Sequence, residues 1–212
     1  MQIFITGASG FIGKNLSTFL VSKGYRIVEY NKNQNLYNKF KNLKKNDIII
    51  HLAGTNRSTQ KKHFIENNIN LTKRICDIIE KKNIKIKIIF ASSTQINEKT
   101  IYGYSKLESE KVLKGLNKKI GANLKILRIP NVYGKWCKPY YNSVVATFCY
   151  DISKNKKIKI INKNKILKLI YIDDLVQQIY KIIKNKSKII YPKIVNTTKI
   201  TVNELALKIT SC

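Results

Sequence analysis

Met1-Gln2-Ile3-Phe4-Ile5-Thr6-Gly7-Ala8-Ser9-Gly10-Phe11-Ile12-Gly13 opens the chain, and its reading decides the fold. A short apolar run ends at Thr6, a glycine turn follows, and Phe11 to Ser22 has the periodicity of an amphipathic helix closed by Gly24. Strand, turn and helix in that order form an anion site. Gly7, Gly10 and Gly13 let the backbone turn tightly and approach a pyrophosphate, which the positive helix N-terminus stabilises. The spacing is glycine, two residues, glycine, two residues, glycine, unlike the G-x-G-x-x-G of other dinucleotide folds. Gly7, Gly10, Phe11, Ile12 and Gly13 are therefore candidate cofactor-binding residues.

Outward from this turn, strand-like runs alternate with helical patterns. Arg26–Tyr30, 47–51, 85–91 and 123–128 read as strands, with helices over 64–81 (burying Ile65, Ile69, Ile75 and Ile79) and 104–116. Ile48-Ile49-Ile50 is too uniformly apolar for a sheet wet on one face. The expectation is an α/β fold: a Rossmann-type doubly wound parallel sheet over residues 1–133 that binds NADP. After Pro130 the pattern changes to aromatics and turn formers. Residues 134–212 read as a small, incomplete C-terminal substrate lobe without a core of its own. The final helical pattern (202–209) lacks a capping glycine, which points to a truncated product or one part of a longer protein.

Composition is consistent with this and removes other classes. At 212 residues and 43% hydrophobic, the chain is a globular domain. No apolar run approaches the roughly 20 residues of a membrane span, and no leader pattern is present, so a cytoplasmic protein without a membrane partner is expected. Cys76, Cys137, Cys149 and Cys212 show no metal-ligand spacing or close pairing, so no metal and reduced thiols are expected. The net charge of +29 invites a nucleic-acid reading. Yet only four of 41 basic residues are arginine, the side chain suited to bidentate phosphate and base contacts. Lysine rises with asparagine and isoleucine along the whole chain, as a coding bias at solvated positions would produce. No specific nucleic-acid partner is expected, and the field favours polyanionic small molecules.

The acidic residue that accepts ribose hydroxyls is expected about 20 residues past the glycine turn. Asn31 and Lys32 stand there instead, and a cation suits a ribose 2′-phosphate, so NADP(H) is the expected cofactor. His51-Leu52-Ala53-Gly54 follows the third strand; Leu52, Ala53 and Gly54 would let adenosine pack on the backbone, while His51 is given no role. Tyr102 and Lys106 lie four apart near a helix start and share a face. With Ser93 at the end of the fourth strand they form a candidate catalytic set. Lys106 would lower the Tyr102 phenol and bind the nicotinamide ribose, Tyr102 would give a proton to a ketone oxygen, and Ser93 would bond that oxygen. Tyr104 is assigned to packing.

Together, Ala91-Ser92-Ser93, Tyr102-Gly103-Tyr104-Ser105-Lys106, Arg128-Ile129-Pro130-Asn131-Val132-Tyr133-Gly134 and Tyr171-Ile172-Asp173-Asp174-Leu175 resemble the extended short-chain dehydrogenases, a family of nucleotide-sugar epimerases, dehydratases and reductases. The resemblance implies that Pro130 lines the nicotinamide and that Asn131 approaches a UDP diphosphate. It implies Asp173-Asp174 as a helix start. Residues 134–150 and Gly54-Thr55-Asn56-Arg57 look like its capsule and O-antigen reductases, which implies Arg57 as a substrate contact and a homodimer. That branch reduces the 4-keto group of a UDP-2-acetamido-2,6-dideoxy-hexos-4-ulose with NADPH, and its members continue into a metal-binding cupin domain that this sequence lacks. Dehydratases of the family need Asp-Glu just after Ser93, where Thr94-Gln95 stands. An NAD-dependent nucleotide-sugar 4-epimerase and a non-catalytic NADP(H)-binding protein remain as alternatives.

Overall fold

A computed structural model describes residues 1–211; Cys212 and the reading of its thiol lie outside the described residues. Five parallel strands form the main sheet: β1 (Gln2–Thr6), β2 (Arg26–Tyr30), β3 (Ile48–His51), β4 (Lys87–Ser93) and β5 (Asn123–Ile129), in the order β2-β1-β3-β4-β5. The chain crosses over with α1 (Phe11–Ser22), α2 (Leu36–Phe40), the pair α3 (Lys61–Phe64) and α4 (Leu71–Lys81), and α5 (Ile101–Ile120). The parallel α/β fold expected from the sequence is present. Because β1 lies between β2 and β3, the loops leaving β1 and β3 part at their carboxyl ends and open a crevice there.

The apolar runs are explained by the two layers. Phe4, Ile49, Ile88, Phe90 and Ile126 point to one face, against Ile75 and Ile79 of α4 and Leu113 and Leu116 of α5. Their neighbours Ile3, Ile5, Ile48, Ile50, Ile89 and Leu127 point to the other, against Leu16 and Leu20 of α1. A strand covered on both sides has no polar face, so Ile48-Ile49-Ile50 is apolar throughout.

After β5 the chain forms β6 (Asn131–Tyr133), α6 (Val144–Ser153), β7 (Ile166–Tyr171), α7 (Ile172–Lys184), β8 (Thr197–Thr201) and α8 (Val202–Thr210). β7 pairs parallel with β6 and antiparallel with β8. Two results differ from the sequence reading. Phe148, Leu167, Leu169, Ile200, Val202, Leu205 and Ala206 form a small apolar cluster where no core was expected. α7 joins the main core instead, through Leu175, Val176 and Ile179 beside Leu16 and Leu20. Asp173 and Asp174 stand in its first turn, where carboxylates complement the helix dipole.

The helix expected over 64–81 is interrupted by a π-helical stretch, Ile65–Asn70. Its inward positions go to Asn68 and Ile69, so Ile65 is left 42% exposed rather than buried. Nor are all lysines solvated. Lys87 donates to the carbonyls of Ile183 (2.6 Å) and Asn185 (2.8 Å), and Lys125 to that of Ile189 (2.9 Å), so two strand lysines cap the end of α7 and the segment after it.

Candidate active site

The glycine turn is built without room for side chains. Gly7 has φ +74°, and a Cβ there would lie 2.7 Å from the Ala53 nitrogen. A Cβ on Gly13 would fall on the Gly7 carbonyl and within 2.7 Å of Ala8 Cα, so Gly13 is what lets α1 start flush against the turn. The Ser9 amide donates to Asn31 Oδ1 (3.0 Å), which ties the turn to the end of β2. No side chain caps Gly10, the residue preceding α1, so the first amides of α1 remain available to an anion.

A directional chain of hydrogen bonds fixes the wall beside it. The Ala53 amide donates to Thr6 Oγ1 (3.2 Å); Thr6 Oγ1 and His51 Nδ1 are 2.6 Å apart, and His51 Nε2 and Thr72 Oγ1 are 3.0 Å apart. Thr72 donates to the Asn68 carbonyl (2.6 Å), so its oxygen is the acceptor for His51 Nε2–H, and Nδ1 accepts from Thr6. Burial holds His51 far below the ordinary histidine range, at about 3, with the Lys106 charge acting the same way. His51 is thus a neutral brace.

Asn68 continues the brace toward α5. Its Nδ2 donates to Ser105 Oγ (2.7 Å) and to the Thr55 carbonyl (3.0 Å), and its Oδ1 accepts the Thr55 amide (2.6 Å). The π turn therefore sits between the loop after β3 and the helix that bears Tyr102 and Lys106.

Ser93, Tyr102 and Lys106 line one cavity of about 240 Å³ with Phe11, Ile12, Leu52, Gly54, Pro130 and Asn131. Thr100 caps α5 by accepting the Gly103 amide, which sets Tyr102 in the first turn. Lys106 is 4% exposed; its ammonium donates to the Ala91 carbonyl (2.7 Å) and lies 4.7 Å from the centre of the Phe90 ring. Burial lowers it to about 8, opposed by the charge of Glu110. The Tyr102 phenol is raised, chiefly by burial, while its hydrogen bond to Ser93 pulls it down. The sequence reading had Lys106 lowering this phenol; burial outweighs any such effect. Tyr104, assigned to packing, is 52% exposed.

A second cavity of about 470 Å³ shares Leu52 and Gly54 with the first and is lined also by Gly7, Gly10, Ala53, Asn31 and Lys32. Adjoining cavities joined along a bare backbone, with a helix N-terminus over the join, fit a dinucleotide. Gly13 lines neither; its part is close packing. Arg57 also lies outside both linings. It donates through Nη1 to the carbonyls of Tyr140 (3.3 Å) and Tyr141, and so holds the loop whose Asn142 lines the first cavity.

Several site residues were not singled out in the sequence. Arg74 and Glu66, an ion pair at 2.6 Å, line the second cavity from α4 and the π turn. Asn56 and Asn142 line the first, as does Gln95, which the sequence had offered only as an argument against dehydration. Asn68 sits in an Asn-Asn-Ile-Asn run that looks like the rest of the asparagine-rich surface, and Glu110, four residues past Lys106, offered only helical spacing as a signal.

Residues 3–197 match the NAD dependent epimerase/dehydratase family, and the chain belongs to it. Within that family it is 36% identical over 208 residues to a UDP-2-acetamido-2,6-beta-L-arabino-hexul-4-ose reductase of Pseudomonas aeruginosa, covering 97% of this chain and 56% of that protein. It superposes with a TM-score of 0.86, at 38% identity, on the capsular polysaccharide assembling protein CapF of Staphylococcus aureus, covering 99% of this chain and 57% of CapF. A UDP-glucuronic acid 4-epimerase from Bacillus cereus, solved with UDP-glucuronic acid and NAD, shares the fold at a TM-score of 0.86 and 20% identity. The chain thus spans a little over half the length of the first two relatives.

Proposed function

We propose that the chain reduces the 4-keto group of a UDP-linked 2-acetamido-2,6-dideoxy-hexos-4-ulose with NADPH. The observation that carries this reading is the convergence of Ser93, Tyr102 and Lys106 on a cavity continuous with the glycine turn. Similarity to a reductase named for such a ketone supports the substrate class. When bound, the nicotinamide supplies a hydride; the remaining work falls to the chain. Tyr102 must hold a proton until the carbonyl oxygen needs it, and burial keeps the phenol protonated. Ser93, already bonded to Tyr102, aligns the oxygen. Lys106 presents a cation from a dry site beside the phenol. The cavity lining contains no aspartate or glutamate, so it offers no carboxylate for the proton removal that dehydration requires.

The test is NADPH oxidation by the purified chain with a UDP-linked 4-keto-2-acetamido-2,6-dideoxyhexose, with the reduced sugar identified by mass. Binding of NADPH with no turnover on any nucleotide-linked ketone would make the non-catalytic reading the better one. Cofactor choice has its own test. Lys32 lines the adenosine-side cavity, whereas Glu29, the acid near the end of β2, lines a different cavity with Ala8, Ser9 and Trp136. NADPH is expected to bind about tenfold tighter than NADH, about 1.4 kcal/mol, with Lys32→Asp reversing the order. Equal affinities in the unmutated chain would favour the epimerase reading.

A further inference from the structure

Glu110 carries a buried carboxylate, 1% exposed, on the face of α5 that bears Tyr102 and Lys106. A carboxylate in that position is strongly disfavoured unless it is paired and hydrogen-bonded. Its partners come from three other parts of the chain. Ser92 of β4 donates its hydroxyl to Oε1; Arg128 of β5 donates through Nε to Oε1 (3.2 Å) and through Nη2 to Oε2 (2.8 Å). Tyr191 donates its hydroxyl to Oε2 (3.3 Å), and its ring centre lies 4.6 Å from the Arg128 guanidinium. Ser92 and Arg128 are register partners in the sheet, and the next pair along is Ser93 with Ile129. Glu110 therefore grips β4 and the edge strand β5 one residue before they deliver Ser93, Ile129 and Pro130 to the cavity.

The same carboxylate acts on Lys106, four residues earlier in α5. The other groups around that ammonium bear no compensating charge. His51 of β3 is neutral, Tyr102 is a protonated phenol, and Asn68 of the π turn is an amide. Arg128 offsets Glu110 only in part, because the arginine side chain is 42% exposed and solvent screens it, whereas the carboxylate is dry.

We propose that Glu110 is a positioning residue: held between β4 and β5 beneath Ser93, it keeps the Lys106 ammonium charged in a buried site. This rests on the assignment of Lys106 to the cofactor and to Tyr102, but not on which ketone is reduced. Glu110→Gln preserves shape and removes charge. The Lys106 amine, followed by NMR with ε-labelled lysine and assigned from the signal lost in Lys106→Met, should titrate about one unit lower in the variant. NADPH affinity should then fall about fivefold at pH 8, where the variant has lost most of its Lys106 charge, and change little at pH 6. Arg128→Gln leaves the carboxylate unopposed and should move the Lys106 midpoint upward. A Glu110 that is merely structural would weaken NADPH equally at both pH values and leave the midpoint in place, and that result overturns the proposal. If Glu110→Gln does not fold, Arg128→Gln decides: an upward shift supports the proposal, and an unchanged or lower midpoint refutes it. The titration needs neither cofactor nor substrate, so a chain without reductase activity would refute the proposed function and leave this result standing.

Discussion

Tyr102→Phe is expected to lower turnover of a nucleotide-linked 4-ketone by about 10²–10⁴-fold while leaving NADPH affinity nearly unchanged. The substitution removes one hydroxyl. The ring stays in the first turn of α5, because Thr100 still caps the Gly103 amide and the helix keeps its register. What is lost is the proposed proton donor and the bond to Ser93. Ser93→Ala should cost less, since the role proposed for Ser93 is to orient the carbonyl oxygen, not to deliver the proton. Lys106→Ala should damage both turnover and cofactor affinity, because in the proposed function the same ammonium serves both. The measurement is kcat together with a separate NADPH titration for each variant. Full turnover in Tyr102→Phe would remove the phenol from the chemistry.

Gly13→Ala should weaken NADPH by about 100-fold, close to 2.7 kcal/mol, and lower stability as well. The added methyl meets the Gly7 carbonyl and the Ala8 backbone, neither of which can swing aside as a side chain could. Either α1 retreats from the turn or Gly7 shifts, and both move the amides that would face a pyrophosphate. Gly24→Ala is the informative contrast. Its Cβ meets nothing, so only its φ of +78° resists, and cofactor affinity should hold while stability falls. An NADPH affinity within a factor of a few of the unmutated value in a folded Gly13→Ala would show that the close packing of α1 is unimportant.

Patterns that are local in the chain were legible before the structure. The glycine turn, the apolar strands and the four-residue spacing of Tyr102 and Lys106 each report one element, and each element is present. What escaped was non-local. Glu110 takes its meaning from Ser92 and Arg128, 18 residues away on either side, and from Tyr191, 81 residues on. Asn68 takes its meaning from a π turn that helical periodicity does not announce. The sign of the Tyr102 shift also escaped, because spacing shows which charge is near but not how little water is left.

The hydrogen-bond chain from Ala53 through Thr6, His51 and Thr72 to Asn68 has a further implication. Every proton along it has one permitted position, since reversing any link would set a donor against a donor or leave a lone pair facing a lone pair. Such an ordered row has no alternative arrangement of similar energy. The wall between β1, β3 and the π turn is therefore set before any ligand arrives, and little freedom is left there for binding to remove. Only strong acid could disturb it, as His51 takes up a proton near pH 3. At milder pH the wall stays neutral, so among the buried groups of the crevice a pH dependence of cofactor affinity falls to Lys106 on the other side.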